Sequence, residues 1–218
     1  ELGISPLQAE LEAIDAIANK DDLSAYFARS RMIGGGGPFF LYIGIDDKDS
    51  TRYATHLWQS GLGLPDRDYY FNEDERSVEL RNAYVTHIEK MFELAGFDDP
   101  AGSAKTLMAL ETEIAASHWT RVENRDSDKR YNKFMVADLG GLGDGINWSA
   151  YLSALGVEAQ EDLIINQPSY IEGFNKIFKQ TSLDDWKTFM RWKLLDNAAS
   201  YLNEALDEQH FDFYYRTL

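Results

Sequence analysis

The chain has 218 residues, 44% of them hydrophobic, and a net charge of −16 from 37 acidic and 21 basic side chains. That length supports one large domain or two small ones around a core that needs no staples, and the hydrophobic share excludes a disordered chain. The acidity repels phosphate backbones and argues against nucleic acid, and the lack of cysteine removes disulfides, thiolate catalysis and Cys-ligated zinc.

Most of the chain reads as helix. Ser5, Pro6 and Gln8 offer an N-cap, a proline at the first helical position and a capping-box partner, with Leu7, Leu11, Ile14 and Ala18 on one face behind them. A second helix, from about Asp22 to Met32, ends in four glycines, Gly34 to Gly37. The pattern then changes. Residues 38–45 are β-branched and aromatic, residues 52–59 alternate in character, and the polar run 46–51 lies between them, which predicts a small β-hairpin over about residues 38–59.

After the stretch GLGLPDRDYYF (residues 61–71) the helical period returns. Tyr84, Ile88, Met91, Phe92 and Ala95 form a stripe stopped by Gly96, and Ala104, Leu107, Met108, Ile114, Ala115 and Trp119 form a longer one. Residues 122–148 look irregular. A short helix is expected over about 149–155, another behind Pro168 carrying Tyr170 to Phe178, and a last one behind a Ser182–Asp185 cap carrying Trp186, Met190, Leu194, Ala198, Tyr201 and Ala205. No fixed-period repeat or low-complexity linker appears. The predicted fold class is mainly α: a multi-helix domain with one small hairpin.

Chemical motifs are scarce. No two of His56, His87, His118 and His210 have the one-turn spacing of a His-Glu-x-x-His zinc helix, and His87 and His118 read as structural histidines among aromatics. Asp47, Asp49 and Thr51 imitate a calcium loop, but Arg52 and Trp58 occupy the positions where glycine and a bidentate glutamate belong. The glycine runs at 34–37 and 140–145 lack the setting of a phosphate cradle. No Gly-x-Ser-x-Gly elbow is present. Glu111 and Glu113, two apart on a helix, point to different faces and form no catalytic dyad, so one of them is expected to be buried and paired. Asn147-Trp148-Ser149 is formally a glycosylation sequon. The acidic surface draws basic peptides or serves solubility alone. The opening ELGISPLQAELEAID has no basic and apolar leader pattern, and no run of about 18 apolar residues is present.

Several motifs nevertheless occur together and in order. Asp46, Asp49-Ser50, Tyr53 and Leu57 lead into Gly61-Leu-Gly63-Leu-Pro65-Asp66-Arg67-Asp68-Tyr69-Tyr70. Met91-Phe-Glu-Leu-Ala-Gly96, Leu110-Glu111, Trp119, Arg125-Asp126, Tyr131-Asn132-Lys133, Asn147-Trp148, Pro168, Tyr170-Ile171 and Trp186-Lys187 follow. In this series, over nearly the whole chain, the sequence resembles the N-terminal region of the neprilysin-type zinc metalloendopeptidases, which include endothelin-converting enzyme and bacterial oligopeptidases.

The resemblance implies two largely helical domains around a central cavity, with residues 1–218 forming the covering domain. The zinc-binding helix, its downstream glutamate and the substrate clamp of that family would lie beyond Leu218, and the early substrate-contacting arginines before Glu1. No catalytic, cofactor or metal residue is therefore carried over, and zinc is expected only in the longer parent. The expected partners are the C-terminal catalytic domain and, for the parent, small peptides; this segment is expected to touch neither nucleic acid nor membrane. Export in a bacterium (periplasmic, secreted or as an anchored ectodomain) is expected, with a cytoplasmic location as the alternative. The rival to a fragment of a peptidase is a stand-alone helical interaction module. For GLGLPDRDYYF itself the expectation is a structural corner, with Arg67 paired to a carboxylate, Asp126 being the partner expected.

Overall fold

The computed structural model describes residues 3–218. Ser5–Leu7 form a 3-10 turn and α1 (Gln8–Asp15) follows it. Ser5 makes no capping bond, and Gln8 reaches forward to Glu12 (2.9 Å) instead of back. Because α1 ends at Asp15, Ile17 rather than Ala18 continues the buried face of Leu11 and Ile14. The second helix, α2 (Lys20–Met32), starts behind Asn19, whose side chain accepts from the Asp22 amide. Gly34 and Gly36, at φ of +79° and +74°, carry the chain out of it into the sheet.

The expected hairpin is formed by β1 (Phe39–Asp46) and β2 (Asp49–Gln59), paired antiparallel from Phe39 with Gln59 to Ile45 with Tyr53. Its turn is tighter than expected, with only Asp47 and Lys48 between the strands. After the corner come a single turn, α3 (Asp68–Phe71), and the two long helices α4 (Glu75–Ala95) and α5 (Pro100–Ser117). The stop at Gly96 holds: it takes φ of +74°, the left-handed geometry that ends α4.

Residues 122–148 are less irregular than the sequence implied. They contain α6 (Ser127–Arg130), the short strand β3 (Lys133–Met135) and a 3-10 stretch over Val136–Leu142. Behind α7 (Trp148–Ala154), β4 (Asp162–Ile165) pairs parallel to β2 at His56 with Ile164 and antiparallel to β3. The hairpin is thus half of a four-stranded mixed sheet in the order β1-β2-β4-β3. Strands of three and four residues show too little alternation to be recognised alone; β3 pairs only with β4, and β4 finds β2 about a hundred residues earlier.

The chain closes with α8 (Pro168–Gln180), α9 (Leu183–Ala198), a 3-10 turn, α10 (Glu204–Phe211) and a π-helical turn over Asp212–Thr217. One helix running through Tyr201 and Ala205 does not form. Tyr201 is exposed, Leu202 leaves helical geometry, and Asn203 caps a new helix by accepting from the Leu206 amide.

One aromatic core joins sheet and helices. Phe39, the first residue of β1, packs on Phe174 with ring centroids 4.9 Å apart, and Phe27, Phe178 and Trp186 continue the cluster. Each such ring, taken out of water, contributes on the order of 2–3 kcal/mol. The outer half of the hairpin escapes this core: Tyr42, Ile43, Ile45 and Tyr53 are all exposed.

Candidate functional site

The stretch GLGLPDRDYYF runs from the end of β2 to α3 and is held from inside by Glu111 of α5. The side chain of Glu111 is fully buried, and four donors converge on it: Tyr70 Oη at 2.6 Å, the Gly63 amide at 3.0 Å, Tyr84 Oη at 3.1 Å and Lys193 Nζ at 2.8 Å. These come from the corner, α3, α4 and α9. Tyr70 Oη in turn accepts from the amides of Gly63 and Leu64, and Tyr84 Oη from Trp192 Nε1 at 3.1 Å. Burial, and then the charge of Glu111, push both phenols well above their ordinary pKa, so they remain donors across the working range.

Two glycines make the corner possible, for different reasons. Gly61 takes φ of +104°, closed to most side chains. At Gly63 the obstacle is space, since a Cβ would lie 1.8 Å from Tyr84 Oη. The chain before the corner is stitched to the segment after α5. Gln59 accepts from the Trp119 amide at 2.8 Å, and its Nε2 donates to the Trp119 carbonyl at 3.1 Å. His118 Nε2 lies 3.1 Å from the Ser60 carbonyl. Burial pushes the His118 imidazole down to about 4, the Arg67 charge adding to this and the Ser60 carbonyl opposing it.

The pairing of Arg67 with Asp126 does not form. Asp66 pairs with Arg121 and accepts from the Asp68 amide at 2.8 Å. Asp126 is spent on its own helix, accepting from the Lys129 amide at 3.1 Å and pairing with Lys129 Nζ at 3.4 Å. A cap three residues away needs no long side chain to be ordered, so it outcompetes the distant guanidinium. Arg67 lies over the Phe71 ring, 5.5 Å from its centroid.

Of the remaining fingerprint residues, Tyr131 reaches the hairpin tip at Asp46, while Arg125 lines the outer side of the corner beside Arg67. Tyr131 Oη donates to Asp46 at 2.9 Å and Lys133 Nζ lies 3.1 Å away. Asn132 donates to the carbonyls of Lys129 and Ile165. The Lys48 amide, with Lys133 and Tyr131, holds the Asp46 carboxyl far below its usual range against the effect of burial. The fold therefore spreads the fingerprint: Gly61 to Tyr70 and Arg125 lie at the corner, Asp126 caps α6, Tyr131 holds the hairpin tip, and Asn132 ties the segment before β3 to β4.

Lys193 was not singled out by the sequence, and Asp46 appeared there only as the first residue of the motif series. Lys193 had a signal, since it lies one residue from Trp192 and Leu194 and seven from Trp186 in a helix whose inner face is apolar. An ionisable residue in such a place calls for a partner. Of the histidines, His118 is satisfied as expected, while His87 is only half so. Its Nδ1 faces Gln209 at 3.2 Å and its Nε2, 3.7 Å from Asp196, makes no hydrogen bond.

Chemically, Glu111 is a fully buried acceptor with donors on both oxygens, so it positions backbone rather than moving protons. Among the described residues, no group of three His, Asp or Glu side chains is arranged to hold a metal ion, and no helix is long and apolar enough to cross a membrane.

Comparison with known proteins gives this arrangement a context. The model of the family described as "Peptidase family M13" matches residues 1–218. Endothelin-converting enzyme 1 of Cavia porcellus is 30% identical over 191 residues, which cover 83% of this chain and 25% of the relative. Zinc metalloprotease Zmp1 of Mycobacterium tuberculosis, in its open state, superimposes with a TM-score of 0.94 and 39% identity, over 100% of this chain and 34% of that one. PepO of Lactobacillus rhamnosis shares the fold at 16% identity, with a TM-score of 0.75 over 97% of this chain and 34% of its own. The chain thus spans about a quarter of the curated relatives' length and about a third of Zmp1. It belongs to peptidase family M13, and corresponds to the N-terminal region of the family's members.

Proposed function

We propose that residues 1–218 are the covering portion of a bacterial zinc metalloendopeptidase that cleaves small peptides, and that this portion encloses the central cavity and limits the size of what enters. The observation that carries the reading is the superposition of the entire chain on one third of Zmp1. Zinc, in the parent, would polarise a water against the peptide carbonyl; the residues described here do not form a set that fits it, and no step is assigned to them. Their contribution is a rigid wall: the Glu111 cluster fixes the corner against three helices, and enclosure of this kind excludes bulk water and folded proteins. The exposed apolar side chains of the hairpin support a partner surface, which in this reading belongs to the catalytic portion of the same polypeptide. Within it, the protein acts outside the cytoplasm.

The test compares the longer polypeptide with the 218-residue chain. The expected result is zinc-dependent cleavage of short peptides by the longer form, falling off steeply for folded proteins, and no cleavage by residues 1–218 alone. Hydrolysis by the isolated chain, surviving removal of contaminating proteases, would overturn the non-catalytic role. Equal cleavage of peptides and folded proteins by the longer form would overturn size selection.

A further inference from the structure

On the outer side of the corner, opposite the buried Glu111 cluster in character, lies an open cleft of about 510 Å³ walled by Arg67, Arg121, Arg125, Trp58 and Trp119. Three guanidinium groups in one cleft stand out in a chain whose net charge is −16. One carboxylate on the wall, Asp66, pairs with Arg121, and none pairs with Arg67 or Arg125. Asp66 serves Arg121 and the Asp68 amide, Glu123 accepts from the amide and hydroxyl of Thr120, and Asp126 serves Lys129. Among the described residues, Arg67 and Arg125 have no carboxylate within ion-pairing distance, and Arg67 Nε is buried without a hydrogen-bond partner. A buried donor left unmade costs free energy, and a planar guanidinium is matched best by an acceptor with two oxygens in one plane.

The rest of the wall says what carries that acceptor. The Trp119 indole N–H already donates to Ser169 Oγ at 2.7 Å, so this residue offers the cleft apolar ring surface rather than a free donor. Leu64 and Pro65 add apolar surface beside the arginines. His118, also on the wall, is neutral at pH 7 and adds no charge. The volume lies within the range of sites for small organic ligands, roughly 300–1,000 Å³. A long polyanion would meet the repulsion of the whole acidic surface, whereas one carboxylate meets only the local charge, because screening confines the field to about 8 Å at physiological salt.

The geometry points to a binding site for a carboxylate on a peptide-like ligand, the guanidinium of Arg67 with that of Arg125 taking the charge and the indoles of Trp119 and Trp58, the latter already stacked by Arg130, lining the space for the adjoining side chain. The carboxylate is either a free C-terminus or an acidic side chain. The site stands apart from the enclosing role proposed above, and its test needs no catalysis.

The test titrates the chain with four probes: N-acetyl-Leu-Phe, its C-terminal amide, N-acetyl-Glu-Phe amide and inorganic phosphate. The indole N–H resonances of Trp58 and Trp119 report binding, and those of Trp148, Trp186 and Trp192 serve as controls. A saturable shift confined to Trp58 and Trp119 is expected with at least one carboxylate peptide, about tenfold or more tighter than with N-acetyl-Leu-Phe amide. Response to the free acid alone identifies a C-terminus, and response to the glutamyl amide a side chain. Arg125→Gln, on an exposed residue, and Arg67→Gln should each weaken binding several-fold with the control resonances unmoved. Equal binding of acid and neutral amide, no binding by either carboxylate peptide, or wild-type binding by both variants would overturn the assignment. So would phosphate saturating the same resonances at the concentration the peptides require.

Discussion

Glu111 gathers a lysine and two tyrosines and Asp46 a lysine and one tyrosine, and both carboxylate side chains are fully buried; what differs most is the exposure of the cation. Lys193, facing Glu111, keeps 6% of its side chain exposed, whereas Lys133 and Arg52, facing Asp46, keep 32% and 42%. At the corner both charges have left water, so each depends on the other. At the hairpin tip the cations remain hydrated and would relax into solvent if the carboxylate were lost. The same chemical groups thus form an internal joint in one place and a surface tether in the other. A buried, fully satisfied cluster fixes backbone across four elements; an open one ties the hairpin tip to the segment at β3.

This contrast can be broken by substitution. The largest effect is expected from Glu111→Ala, which strands Lys193 and leaves the Gly63 amide and two phenols short of an acceptor. Denaturant unfolding should show a loss of about 3–5 kcal/mol, and a loss below about 1 kcal/mol would show that the cluster does not hold the corner. Gly63→Ala, which forces a methyl group against Tyr84 Oη, should cost about 1–3 kcal/mol in the same measurement. Asp46→Asn should lower the midpoint clearly less than Glu111→Ala, and Arg67→Ala less again, within about 1 kcal/mol, since no ion pair to Asp126 is lost.

Titration separates the corner's surroundings from the tip. His118 has a folded pKa of about 4 against an ordinary value of 6.5, so the unfolded chain binds the extra proton first. Stability is full above about pH 6.5 and falls as pH drops toward 4, by up to about 3 kcal/mol. His87, also depressed by burial, acts in the same direction. His118→Gln should therefore reduce this slope without abolishing it. The Asp46 pKa is depressed too, but for an acid this means stability present above its unfolded value and lost below about pH 4. Asp46→Asn should blunt only that lower limb. A variant that altered the wrong window would break the assignment.

Much of this architecture was legible in the sequence, for identifiable reasons. The stripe from Tyr84 to Ala95 and its stop at Gly96 follow from one helical period and one backbone requirement, both local. The hairpin followed from a change of period, and burial of one glutamate of the Glu111–Glu113 pair from the impossibility of a dyad at that spacing. The misses are all non-local or competitive. β4 exists because it meets β2 across 108 residues between His56 and Ile164. Lys193 meets Glu111 across 82 residues. Asp126 was drawn to Arg67 on chemical type alone, while the cap of its own helix was closer. The break after Ala198 was readable in principle, since Asn203 before Glu204 is a cap signal, but the alanines around it extend the helical pattern.

The claim that residues 61–71 form a joint built on a buried ion pair is tested most directly by two double-mutant cycles on unfolding free energy, Glu111→Gln with Lys193→Met and Asp46→Asn with Lys133→Met. The account predicts a coupling of about 2–3 kcal/mol for the first pair and a distinctly smaller one for the second. Couplings of equal size, or the larger one at the hairpin tip, would contradict it.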